Sequence, residues 1–170
     1  MEKLTKNWEV GLKDNFNSIY SFFKKMEIME SPTFSFPNGI EGTLNEIFDK
    51  GRILVGKQDE FIRGLCGYFH GIPKMKKDFS FEFENKNVAY VYFLVTEKNF
   101  RKNFPFGEIV SAISKQALVD GHDELRFKAY RDNNILLNKL YSRFAEKIGV
   151  EKNTQNKWTN LYSANPKNFI

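Results

Sequence analysis

The residues best placed by type and spacing to do chemistry lie in Thr96-Glu97-Lys98-Asn99-Phe100-Arg101-Lys102-Asn103-Phe104-Pro105-Phe106-Gly107. This polar, partly basic stretch runs into a helical pattern with Ile109, Val110, Ile113 and Ala117 on one face. The first amides of a helix have no partners within it and carry partial positive charge, so a loop with Arg101 and Lys102 leading into one is a seat for phosphate. Pro105 removes one amide that such a seat would use. Other chemistries fit less well. Cys66 and His70 suggest a thiol pair, but four residues along a strand separate them by about 13 Å, too far for proton transfer. His70 and His122 lack the spacing of metal ligands, and a single cysteine excludes a multi-cysteine zinc site, so no metal is expected and both histidines read as structural or surface residues. Neither Gly-x-Ser-x-Gly nor a Walker loop occurs.

The elements around the loop follow from periodicity. The apolar run Val88-Ala89-Tyr90-Val91-Tyr92-Phe93-Leu94-Val95 is a strand buried on both faces. After the loop and its helix, Asp120-Gly121-His122-Asp123 ends the helix, and Glu124 to Ala129 alternates as a strand. The helix between them is long enough for a crossover to a parallel neighbour. Asn133 or Asn134 then caps a last helix with Leu137, Leu140, Tyr141, Phe144, Ala145 and Ile148 on one stripe, stopped by Gly149. Upstream, Leu12, Phe16, Ile19, Tyr20 and Phe23 predict an amphipathic helix from about Trp8 to Met26. Thr43-Leu44-Asn45-Glu46 is a capping box opening a short helix that stops at Gly51. Residues 53–57 and 61–69 flank Gln58-Asp59-Glu60 as an antiparallel hairpin, in which Gly64 and Gly67 weaken the second strand or mark a close backbone approach. Gly71 to Asp78 reads as a loop, Phe79 to Glu84 as a short strand or the approach to the central one, and the tail from Glu151 as one or two short strands.

A chain of 170 residues with 41% hydrophobic content is expected to form one domain, residues 1–170, with a substantial core. No apolar run approaches the length of a membrane helix and no export segment is apparent, so the expectation is a cytoplasmic protein with no membrane partner. The net charge of +5 is uneven: residues 1–97 carry 13 Lys and Arg against 14 Asp and Glu, and residues 98–170 carry 13 against 7. The second half therefore favours an anion, whether a phosphorylated cofactor or RNA.

In element order and several residues the chain resembles the GCN5-related N-acetyltransferase (GNAT) superfamily. Two helices, a hairpin, a long central strand, a cofactor loop and helix, a parallel strand and a last helix follow in that family's sequence. Ile62-Arg63-Gly64 matches its apolar-x-Gly, and Asn134, Leu137 and Tyr141 keep its spacing of three and seven. The resemblance covers nearly the whole chain. It implies an α+β fold: a mixed, mostly antiparallel central sheet flanked by helices, with a parallel strand pair at the acetyl-CoA site. Two departures stand out. The family's phosphate loop, Arg/Gln-x-x-Gly-x-Gly/Ala, is here Arg101-Lys102-Asn103-Phe104-Pro105-Phe106-Gly107, with bulky residues at both small positions and a glycine one place late. The glycine expected near Ala145 comes at Gly149, as though the last helix had gained a turn.

The resemblance further implies an N-acetyltransferase using acetyl-CoA as cosubstrate, in which a primary amine attacks the thioester directly. A backbone amide near Val95 would donate to the thioester carbonyl. Arg101, Lys102, Asn103, Phe104, Phe106 and Gly107 would surround the pyrophosphate, Asn134 would belong to the cofactor side of the last helix, and Tyr141 would be the acid for the departing thiolate. Glu97, just past the strand, is the nearest carboxylate for a base, although it, Glu82 and Glu84 also read as surface carboxylates. An α-amine, with a reference pKa near 8, needs little help from a base, so the implied acceptor is an amine-bearing small molecule, a peptide or aminoacyl-tRNA, the last being toxin-like. A homodimer is compatible with the family. The rival reading is a catalytically inactive module that keeps the fold for binding or regulation, motivated by Phe104 and Phe106.

Overall fold

The computed structural model describes residues 3–30, 36, 38–78, 80–132, 135–152 and 156–170, without the side chains of 27–30. The apolar run at Val88 lies at the centre of one seven-stranded sheet. In chain order the elements are β1 (Trp8–Val10), α1 (Phe16–Glu30), α2 (Gly39–Lys50), β2 (Gly51–Gln58), β3 (Phe61–Met75), β4 (Phe81–Thr96), α3 (Phe106–Val119), β5 (Glu124–Tyr130), α4 (Ile135–Phe144), β6 (Glu146–Lys152) and β7 (Trp158–Ala164). The strand order is β1-β2-β3-β4-β5-β7-β6. Every neighbouring pair is antiparallel except β4 and β5. This is the expected mixed, mostly antiparallel sheet with one parallel pair.

Each face of the sheet is covered by helices whose apolar spacing supplies the seal. On α1, Ile19, Phe22, Phe23 and Met26 fall at i, i+3, i+4 and i+7, and with Ile40, Leu44 and Ile47 of α2 they bury Ile53, Leu65, Phe69, Phe93 and Val95. On the other face, Ile109, Ala112, Ile113 and Ala117 of α3 pack with Cys66, Tyr68, Ala89, Val91, Leu125 and Phe127. Ala89 and Val91 thus face α3, whereas Phe93 and Val95, also odd-numbered, face α1. A bulge causes the switch: Gly67 pairs with Phe93 and Tyr68 with Val91, leaving Tyr92 as the extra residue.

Four boundaries differ from the sequence-based expectation. Trp8, Glu9 and Val10 are a strand rather than the start of the first helix. The indole, 1% exposed, lies over Gly56 and Gly64, where an added Cβ would come within 3.0 and 3.1 Å of its ring. The hairpin glycines are therefore a seat for Trp8, and filling it outweighs the helical spacing upstream. Gly67 has the same use under Phe93, whose ring would be 2.5 Å from an added Cβ. The second helix begins at Gly39, so Thr43 lies buried inside it instead of capping it. β3 runs on to Met75, so the expected lysine loop is largely strand, with Lys74 paired to Glu84. Finally α4 ends at Phe144, and Ile148 and Gly149 belong to β6, the edge strand beside β7.

Candidate functional site

The parallel pair is short. Val88, Ala89 and Tyr90 of β4 lie opposite Glu124, Leu125 and Arg126 of β5. Past them, among the described residues, β4 continues to Thr96 with no strand partner on that side, and β5 continues beside β7. The result is a fork that opens next to the bulge at Tyr92. The Glu97 amide donates to the Arg63 carbonyl at 2.8 Å, so by antiparallel alternation Val95 also bonds across to Leu65, while Leu94 and Thr96 turn their N–H and C=O groups into the fork. The open backbone donor is thus one residue away from the expected Val95, whose amide is spent on the ladder. At the mouth, Arg101 Nε donates to the Thr96 carbonyl at 3.2 Å.

The loop folds as a 3-10 turn over Lys98–Asn103 that consumes most of its own amides. The Phe104 amide donates to the Arg101 carbonyl, and the Glu108 amide to Pro105, so Phe106 and Gly107 open α3 with amides that lack acceptors among the described residues. Gly107 is exposed, with open space where a side chain would be. Arg101 and Lys102 are exposed beside it. The other expected loop residues turn elsewhere. Asn103 donates to Gln58 Oε1 at 2.7 Å and accepts from Asn7 through its carbonyl. Phe104 is buried edge-on against Trp8, ring centroids 5.8 Å apart. The bulky residue at the first small position of the family's loop is therefore an anchor into the core. Glu108, in the first turn of α3, accepts from Thr5 Oγ1 and from both nitrogens of Asn7.

Behind the fork, α4 is tied down by Asn138, which donates to the Tyr130 carbonyl and accepts from Asn160 and the Tyr162 hydroxyl, at 2.7 to 2.8 Å. This places Tyr141, 4% exposed, in a box of rings: Phe127 at 5.1 Å, Tyr162 at 5.6 Å and Phe106 at 5.8 Å. Burial, reinforced by Cys66 and Tyr162 nearby, raises the phenol above its ordinary range, so it holds its proton tightly. Phe106 also touches Phe144 at 5.2 Å, closing the gap between the start of α3 and the end of α4. Asn134 lies outside the described residues.

Glu97 is not the surface carboxylate that was expected. It is buried and bridged by Lys25 at 2.8 Å and Arg63 at 3.0 Å. Burial by itself would raise its pKa, but the hydrogen bonds from these two cations outweigh that and hold it below the usual carboxylate value. A carboxylate so stabilised is a weak proton acceptor. The sequence reading also missed the opposite face of the fork, where Tyr90, Tyr92 and Lys128 meet. Burial would lower the Lys128 pKa, yet Tyr90 and the ion pair with Glu151 raise it. Burial pushes Tyr92 up to about 12. The alternation of Glu124 to Ala129 already put Lys128 on the face opposite Phe127, which was the available signal.

No family model and no curated protein sequence matches the chain. Solved structures do. An aminoglycoside 6'-acetyltransferase type Ii superposes with a TM-score of 0.69 at 11% identity, over 94% of this chain and 96% of that one. A GNAT-family acetyltransferase from Streptococcus pneumoniae gives 0.66 at 13%, over 93% and 97%. The ribosomal-protein-S18-alanine N-acetyltransferase from Escherichia coli gives 0.60 at 8%, over 93% and 92%. With the forked parallel pair, the bulge beside it and the loop leading into α3, the chain has the fold of the GNAT superfamily.

Proposed function

We propose that the protein is an N-acetyltransferase that uses acetyl-CoA and acts on a primary amine. One observation carries this reading: a fork between β4 and β5 into which the Leu94 and Thr96 amides point without a partner among the described residues, with the start of α3 beside its mouth. Acetyl-CoA would supply an acyl group activated as a thioester. The Phe106 and Gly107 amides, with Arg101 and Lys102, are the groups suited to its pyrophosphate, because they are the unpaired donors and exposed cations at that helix start. The Leu94 amide is placed to donate to a carbonyl oxygen as it gains negative charge. Tyr141, by resemblance to the family's helix tyrosine, would supply the proton to the departing thiolate. With Glu97 held as an ion pair, an amine with a reference pKa near 8, about half neutral at that pH, is the fitting acceptor, which favours an α-amine over a lysine side chain. Two of the structural neighbours are named for acting on an aminoglycoside and on a protein's alanine, both amine acceptors.

A second reading has its own support. The Phe106 ring, packed on Tyr141 and Phe144, fills the passage between α3 and α4, as in a module that kept the fold without the cosubstrate. Coenzyme A separates the two readings. For the enzyme, coenzyme A raises the melting temperature, and acetyl-CoA releases thiol when peptides with free α-amines are supplied. Absence of both, in the wild type and in Phe106→Ala, would establish the inactive module.

A further inference from the structure

At the other end of the β4–β5 pair, His70 of β3 and His122 in the turn before β5 are brought together from 52 residues apart, His70 Nδ1 lying 2.7 Å from His122 Nε2. Asp120, at the end of α3, completes the group: one ligand atom from each of the three residues lies within 4.8 Å of the others. The backbone arranges this deliberately. Gly121 has φ +83°, a left-handed turn that brings Asp120 and His122 to the same side although one residue separates them. The Asp120 carboxylate is oriented by the Tyr68 hydroxyl at 2.7 Å, Arg52 at 3.0 Å and Gln116 at 3.2 Å.

Two facts make this more than a hydrogen-bonded pair. First, His122 is 3% exposed and, among the described residues, its ring bonds only to His70, through Nε2, a polar burial that an apolar ring at the same position would avoid. Second, two ring nitrogens at 2.7 Å must share a proton, since two lone pairs do not approach so closely. A proton held between two imidazoles beside a carboxylate stands where a divalent cation can stand. We propose that His70 Nδ1, His122 Nε2 and the Asp120 carboxylate form a site for a late first-row divalent cation, best suited to zinc, that pins the α3–β5 crossover to β3.

Nitrogen ligands with one carboxylate favour zinc and its neighbours over magnesium or calcium. Two imidazoles bound at about 2.0–2.1 Å in a tetrahedron lie about 3.3 Å apart, so the rings need open only slightly. His70 then carries its proton on its other nitrogen. The Arg52 side chain, 41% exposed, is free to turn outward as the ion takes over its charge on Asp120. The fourth position goes to water, because His70 is only half-buried. The site lies about 20 Å along β4 from the fork, six residues at about 3.3 Å each, and does not depend on the acyl-transfer reading.

Thermal denaturation of chelator-treated protein with zinc chloride, paired with visible absorption on adding cobalt(II), tests it. The expected result is a melting temperature that climbs with zinc but not magnesium, an intense four-coordinate cobalt spectrum, and loss of both in His70→Gln and Asp120→Asn, with apparent affinity reduced at least tenfold. His70→Gln is half-exposed and should fold, and circular dichroism of both variants without metal checks this. A wild-type protein indifferent to zinc, or one whose zinc response survives in both variants, would overturn the site.

Discussion

The two ends of the β4–β5 pair handle polar groups in opposite ways. At the fork, backbone donors of Leu94 and Thr96 are left open while the side chains behind them are aromatic and closed upon one another. At the histidine end the backbone is paired, through Val88 to Glu124 and the Asp123 amide to the Asn87 carbonyl, and the side chains carry the chemistry. At the histidine end the side-chain ties are made from ionisable groups, His70, His122, Asp120 and Arg52.

Four changes would break or sharpen that contrast. The largest effect is expected for Trp8→Ala, which empties the seat over Gly56 and Gly64 and removes the partner of Phe104. A loss of about 3–5 kcal/mol should show in the urea midpoint, along with increased protease cleavage in the loop at 98–104. Next, Asp120→Ala leaves the buried Tyr68 hydroxyl without its acceptor and should cost about 1–3 kcal/mol by the same measurement, while thiol release at the fork stays unchanged. Phe106→Ala removes a half-buried ring at a cost of about 1–2 kcal/mol, and should tighten coenzyme A binding by calorimetry because the passage opens. Unchanged binding there would weaken the view that the ring is the obstruction. The smallest effect is a slope with pH. Glu97 has a lowered pKa in the fold, so its contribution is complete above the unfolded value near 4.3 and is lost as pH falls through the lower folded one. Melting temperatures taken from pH 6 down to pH 3 should fall less steeply in Glu97→Gln than in the wild type.

How much of this could be read beforehand depended on whether the deciding contacts were local. The central strand, α3 and β5 declare themselves because an eight-residue apolar run, a helical stripe and an alternation are each complete within a short window. β1 does not, since Trp8 is extended only because glycines about 50 residues away make room for its indole. β6 left a trace that was overlooked: Ile148 and Val150 alternate with Lys147, Gly149 and Glu151 at a period of two, but Tyr141 and Phe144 upstream made a helical stripe seem to continue. Within the site, Arg101, Lys102 and Gly107 are exposed around the start of α3. The amide at Leu94 required the ladder's phase, and the burial of Glu97 required knowing that Lys25 comes from α1. The meeting of His70 with His122 depends on β3 running beside β4, which no spacing of residues records.

The extra residue at Tyr92 has a further consequence for how this sheet can vary. Because the bulge turns two successive side chains, Tyr92 and Phe93, toward α1, straightening the strand at the same length would send Phe93 and Val95 into the territory of α3 and Leu94 toward α1. No single side-chain replacement could repair such an inversion. The gap between the strands is therefore guarded by a backbone offset rather than by any one side chain, and lineages of this fold would be expected to exchange the residues around it far more freely than the offset itself.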